Sequence, residues 1–228
     1  MIIKGLQKTT LLDFPGKVAA TVFTGGCNFR CPFCHNASLV THIKEDTISE
    51  EEVLAYLEKR KNILDGICIT GGEPLLQPDI DEFCRKVRAL GLAVKLDTNG
   101  SRPEPLRRLI EEGLIDYIAM DIKNDKDAYA RTCGLDHFPD GVEESIRLIM
   151  SCGVPYEFRT TVTKEFHSPT NIESLTQWIR GAQRYYLQCF TDSGDLIGEG
   201  LSAYSETEME ELLAIARKEI PASELRGV

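Results

Sequence analysis

Cys27-Asn28-Phe29-Arg30-Cys31-Pro32-Phe33-Cys34 brings three thiols into eight consecutive residues. Gly25, Gly26 and Pro32 keep the surrounding segment, residues 25–36, out of regular structure, so it reads as a loop able to wrap a bound body. Thiolates select soft metals. Three of them offer either a zinc site completed by a fourth ligand or three corners of a [4Fe–4S] cluster whose fourth iron stays open. His35 has the right chemistry for a fourth zinc ligand but adjoins Cys34, whereas paired zinc ligands are normally separated by two or more residues. The spacing favours the iron–sulfur site.

Three further polar clusters recur down the chain: Gly71-Gly72-Glu73-Pro74, Asp97-Thr98-Asn99-Gly100 and Asp121-Ile122-Lys123. What must position them is a series of short β-branched runs, each followed by a helical pattern. Strands are expected at residues 17–24, 66–70, 92–97, 116–121, 156–162 and 185–190, all read as apolar and buried on both faces. Helices are expected at 49–61, 78–90, 103–112, 142–152, 171–181 and 205–220, with Gly91 and Gly113 placed as C-caps and Pro103 opening a first turn. The cysteine loop follows the first strand and the other clusters follow or close the second, third and fourth. That is the strand end at which parallel α/β sheets bind ligands. Eight βα units close a full barrel in about 250 residues. Six such units therefore predict an α/β fold of the incomplete, open-sided (β/α)6 type, with the doubly wound sheet as the alternative. Arg159, within the strand at 156–162, is a charge that needs a partner.

The chain has 228 residues, 42% hydrophobic and 27% charged, which suits one compact domain over residues 1–228. A net charge of −10 without a basic cluster argues against nucleic acid as a direct partner. No apolar run is long enough to span a bilayer, and the N-terminus does not read as a secretion signal, so a cytoplasmic protein is expected. In that compartment eight cysteines are reduced thiols or metal ligands rather than a disulfide framework. Cys68, Cys84, Cys133, Cys152 and Cys189 are scattered and read as core residues, and His137 and His167 have no partner spacing. The acidic start of the helix at 205–220 reads as a solvated face that complements the helix dipole.

The C-x3-C-x2-C loop after the first strand resembles the signature of radical S-adenosylmethionine (SAM) enzymes. The resemblance implies a [4Fe–4S] cluster on Cys27, Cys31 and Cys34, with Phe29 and Phe33 packed around it, and SAM chelated at the open iron. Gly71-Gly72-Glu73 is similar to the family's GGE segment, which implies close approach of the backbone to the SAM amino group with Glu73 as a nearby acceptor. Asp97-Thr98-Asn99-Gly100 and Asp121-Ile122-Lys123 resemble the corresponding segments of glycyl-radical-enzyme activases, which are similar to pyruvate formate-lyase activating enzyme. That likeness implies a monovalent cation, Na+ or K+, held by Asp97, Thr98 and Asp121 beside the SAM carboxylate. It also implies that Lys123 reaches this carboxylate and that Asn36 and Arg159 lie close to SAM. Segments 13–20 and 34–36 most resemble the anaerobic ribonucleoside-triphosphate reductase activating proteins. This implies a glycyl radical enzyme as protein substrate and a flavodoxin- or ferredoxin-type electron donor. Leu187-Gln188-Cys189-Phe190 departs from the pyruvate formate-lyase activases, which carry a SAM-contacting histidine near there. A radical SAM enzyme acting on a small molecule or another peptide, and a zinc-stabilised binding scaffold, are the rival expectations.

Overall fold

The computed structural model describes residues 1–43 and 45–227. In chain order the elements are β1 (Ile3–Thr10), β2 (Ala19–Thr24), α1 (Ala37–Thr41), α2 (Glu50–Arg60), β3 (Gly66–Gly71), α3 (Ile80–Ala89), β4 (Ala93–Thr98), α4 (Pro103–Glu111), β5 (Tyr117–Asp121), α5 (Tyr129–Cys133), α6 (Gly141–Ser151), β6 (Tyr156–Val162), α7 (Pro169–Trp178), β7 (Tyr185–Cys189), α8 (Glu206–Glu219) and β8 (Ser223–Arg226). Local signals set many of these boundaries. Ser49 with Glu52, Ser168 with Asn171 and Ser205 with Glu208 form reciprocal capping boxes. Gly91 and Gly113 stand just past α3 and α4 in the left-handed conformation, at φ +80° and +62°. Helix α7 starts two residues earlier than expected because Ser168 caps it and Pro169 fits its first turn.

All eight strands join one sheet in the order β1 to β8. Pairing is parallel from β2 through β8, and β1 runs antiparallel to β2. Sequential order excludes the doubly wound alternative, in which the order reverses partway. Each crossover instead adds the next strand on the same side, the arrangement that curls a parallel sheet toward a barrel. Among the described residues no ladder joins β1 to β8, so the barrel stays open. The six expected strands are β2 to β7, and β1 and β8 widen the sheet beyond them.

Alternation along the strands gives the curved sheet two different faces. Outward residues such as Val22, Ile69, Leu96, Met120 and Phe158 are buried with the helices in the main core. On the inner face stand Lys95 and Asp97 of β4, Asp121 of β5 and Glu157 and Arg159 of β6, which corrects the expectation of strands apolar on both sides. Phe14, before β2, packs with Ala19 and Tyr117 in a separate small apolar cluster. No helix among the described residues is long and apolar enough to cross a membrane.

Candidate active site

Parallel register brings the strand ends level and so gathers the polar clusters. Thr24 pairs with Gly71, Asp97 with Ala119, and Asp121 with Arg159. A cavity of about 310 Å³ opens at these ends, lined by Cys27, Cys31, Cys34, Asn36, Gly71, Gly72, Asp97, Thr98, Asp121, Lys123 and Arg159. Phe29, Phe33, His35 and Gln188 complete much of the wall. Residues from the ends of six strands, β2 to β7, thus meet at one place, where sequence positions had brought together the ends of the first four.

The three cysteines are held by different neighbours. Cys27 Sγ accepts hydrogen bonds from the Phe29 backbone N–H at 3.4 Å and the Asn99 amide at 3.7 Å. Burial nevertheless pushes its thiol up to about 11, and burial also raises Cys34. Cys31 goes the other way, because the neighbouring Cys133 thiol favours its ionised form more than burial opposes it. Cys133 ends α5 and is wholly buried, and its carbonyl accepts from the Arg30 N–H at 2.8 Å. Sequence reading placed it in the core without a role, since nothing local ties it to a loop about a hundred residues earlier. Lys123 favours the ionised form of all three loop thiols.

Phe29 and Phe33 are each 3% exposed and shield the thiols from water. Phe33 meets the ring of His167 edge-on, with centroids 5.9 Å apart. His167 is buried, accepts from the Thr163 N–H at 3.1 Å and lies 2.8 Å from the Lys123 carbonyl through Nε2. It therefore donates from Nε2 as a neutral ring, and burial keeps its proton affinity low. This histidine fixes the backbone that carries Lys123, a role no sequence spacing revealed.

Gly71 and Gly72 serve backbone packing. A Cβ on Gly71, at φ +117°, would lie 2.4 Å from the Thr24 nitrogen, and one on Gly72 would lie 2.0 Å from the Gly26 carbonyl oxygen. Only glycine lets this loop lie against the start of the cysteine loop, where the Gly72 N–H donates to Thr24 O and the Glu73 N–H to Gly26 O. Glu73 is the one predicted site residue whose side chain does not line the cavity. Fully buried, its carboxylate accepts from Leu75 N–H at 3.1 Å, Thr98 Oγ1 at 2.8 Å and Asn99 N–H at 2.7 Å. These donors turn it into a strut between the loops after β3 and β4, and burial pushes it up to about 7. Asn36 precedes α1 without capping it, so its amide is left to the cavity.

Asp97 and Asp121 are bridged by Arg159, whose Nε donates to Asp121 at 2.9 Å and whose Nη1 donates to Asp97 at 3.3 Å. Lys123 Nζ donates to Asp121 at 3.1 Å, and the buried Lys95 donates to Asp97. Burial alone would raise both acids. The cations reverse this and hold Asp97 low and Asp121 well below the usual carboxylate range.

Among the described residues no three His, Cys, Asp or Glu side chains converge on a single-ion site. The three sulfurs instead line a cavity wall beside glycine backbone and a cationic floor. Soft sulfur donors, apolar shielding and space beyond them fit a [4Fe–4S] cluster with an organic cosubstrate.

The chain is similar to several known proteins. A protein of Methanocaldococcus jannaschii named "putative glycyl-radical enzyme activating enzyme" is 32% identical over 234 aligned residues, covering 100% of this chain and 96% of its own length. The pyruvate formate-lyase-activating enzyme of Clostridium pasteurianum is 28% identical and covers 78% of this chain and 76% of its own. Among solved structures, Streptococcus suis SuiB bound to S-adenosylmethionine superposes with a TM-score of 0.71 at 17% identity. It covers 90% of this chain and 49% of its own, a likeness of fold. The model of the Radical SAM superfamily matches residues 21–167, from the strand that leads into the three cysteines to the buried histidine behind Lys123. With more than half of its length matched, and with the thiol loop at the predicted strand end, the chain belongs to the radical SAM superfamily.

Proposed function

We propose that this radical SAM enzyme is an activase that generates a glycyl radical on a partner enzyme, an anaerobic ribonucleoside-triphosphate reductase. The observation that carries the reading is the single cavity in which the three-cysteine loop, the glycine pair and the Asp97–Arg159–Asp121–Lys123 network meet. The near full-length match to a protein named for glycyl-radical enzyme activation supports the substrate class.

Cys27, Cys31 and Cys34 would hold the [4Fe–4S] cluster, and SAM would lie between it and the strand ends. When bound and reduced, by a flavodoxin- or ferredoxin-type donor, the cluster supplies the electron that cleaves SAM and so initiates hydrogen abstraction from a glycine of the partner. The chain's own residues prepare that event. Phe29 and Phe33 exclude water from the thiols, and Lys123 stabilises their ionised form. Gly71 and Gly72 would present bare backbone to the SAM amino group, and Asn36 lines the same cavity. Lys123 and Arg159 provide the positive field for the SAM carboxylate. Glu73 acts through the loops it joins rather than by touching the cosubstrate. The sheet is left unclosed between β1 and β8, and this open side is where a loop of the partner would enter.

Anaerobic reconstitution with SAM, a reductant and the co-expressed reductase tests this. A glycyl radical on the reductase by electron spin resonance is the expected outcome. SAM cleavage without that signal would overturn the activase reading and leave a radical SAM enzyme with another substrate. A colourless protein containing one zinc and leaving SAM intact would overturn both.

A further inference from the structure

Each of the four carboxylate oxygens of Asp97 and Asp121 meets a nitrogen of a protein cation. Asp97 Oδ1 faces Lys95 Nζ and Asp97 Oδ2 faces Arg159 Nη1. Asp121 Oδ1 faces Arg159 Nε and Asp121 Oδ2 faces Lys123 Nζ. The Thr98 hydroxyl is engaged as well, donating to Glu73 at 2.8 Å and accepting from the Gly100 N–H at 3.0 Å. The three groups expected to surround a monovalent cation are therefore all committed to partners within the chain.

Lys95 makes the difference. It lies two residues before Asp97 on the same inner face of β4, its side chain is 2% exposed, and its ammonium also contacts Cys68 Sγ at 3.6 Å. Withdrawing it would leave a buried carboxylate and a buried ammonium each unpaired, which is strongly unfavourable. Lys95, Arg159 and Lys123 already neutralise the two carboxylates, with Lys123 also facing the loop thiols. A free cation entering here would find no unneutralised carboxylate, and would meet the ammonium and guanidinium groups already in place. A tethered ammonium carries the charge of Na+ or K+ and loses no translational freedom on arriving.

We propose that Lys95 is a positioning residue that takes the place of an exogenous monovalent cation, so that the SAM site assembles without Na+ or K+. This rests on the reading of the cavity as a SAM site.

The test is SAM binding to the anaerobically reconstituted protein by titration calorimetry, at equal ionic strength in sodium, potassium or tetramethylammonium chloride. For the unmodified protein the three Kd values should agree within about twofold. For Lys95→Met, binding in tetramethylammonium should weaken by about tenfold or more and recover in sodium or potassium. Thermal unfolding without SAM gives a second readout. The melting point of Lys95→Met should rise in sodium or potassium relative to tetramethylammonium, and that of the unmodified protein should not.

Cation-dependent SAM binding by the unmodified protein would overturn the proposal and leave the SAM site standing. So would a folded Lys95→Met that no small cation rescues. Absence of SAM binding in every salt would overturn the SAM reading itself, and the proposal with it. If Lys95→Met does not fold, the three-salt comparison on the unmodified protein decides.

Discussion

At the residue scale, Glu73 shows how burial sets a charge. Its folded carboxyl titrates at about 7, above the ordinary 4.5, because desolvation outweighs its three donors. The folded state therefore holds this proton more tightly than the unfolded chain does. Its contribution to stability is complete below about pH 4.5 and is lost as pH rises through 7, to a limit of about 3 kcal/mol. Glu73→Gln keeps the two donors on Oε1 and removes the titration. Its unfolding free energy relative to the unmodified protein should rise between pH 5 and pH 8 in urea titrations, and a difference independent of pH would contradict the assignment. The thiols yield a second prediction. Cys31→Ser should prevent cluster assembly, read as iron bound after anaerobic reconstitution, with helical circular dichroism unchanged. Cys133→Ala removes only the partner of Cys31 and should permit assembly, with iron lost to a chelator about tenfold faster.

Between elements, the cysteine loop is gripped from two sides. The loop after β3 lies against it through Gly71 and Gly72. The segment after β7 reaches it through Gly198 N–H to Pro32 O at 2.8 Å, and through Asp195, which accepts from Ser38 N–H and Oγ at the start of α1. Gly72→Ala places a Cβ where the Gly26 carbonyl already sits, and neither backbone can swing aside as a side chain would. The expected result is a loss of about 2–3 kcal/mol in unfolding free energy together with weaker SAM binding. Unchanged stability and affinity would show that the two loops part freely. The Gly-Gly pair stood out in the sequence as a site feature, but its main contact is with the chain itself. That contact depends on the parallel register of β2 and β3, which no local pattern displays.

Across the whole molecule, the open barrel is completed by two strands that periodicity did not reveal. β1 contains Gly5 and is half exposed, so it lacks a clear alternation, and β8 is the short polar run Ser223-Glu224-Leu225-Arg226. β8 is tied in by Arg226, which donates to both oxygens of Glu157 at 2.7 and 3.0 Å, and Glu157 is 1% exposed and also accepts from the Tyr117 hydroxyl at 2.9 Å. Arg226→Met leaves a buried carboxylate without its cation and should lower stability by about 3–5 kcal/mol. Adding Glu157→Gln should restore much of that loss, as measured by a double-mutant cycle in denaturant.

Local chemistry was enough to identify the thiol loop, to mark Arg159 as a charge needing a partner, and to place the glycine pair, the two aspartates and Lys123 at one end of a parallel sheet, while the family resemblance made those last residues site candidates. Spacing within a loop and position after a strand are properties of neighbouring residues, and parallel strands must present the same ends together. Tertiary structure alone decided which charge answers which. Lys95 and Arg159 on the aspartates, Cys133 on Cys31, Glu73 beneath its loops and Arg226 on Glu157 depend on register between strands or on contacts between segments far apart in the chain. A two-residue alternation tells which face a side chain takes and leaves its partner across the sheet undetermined.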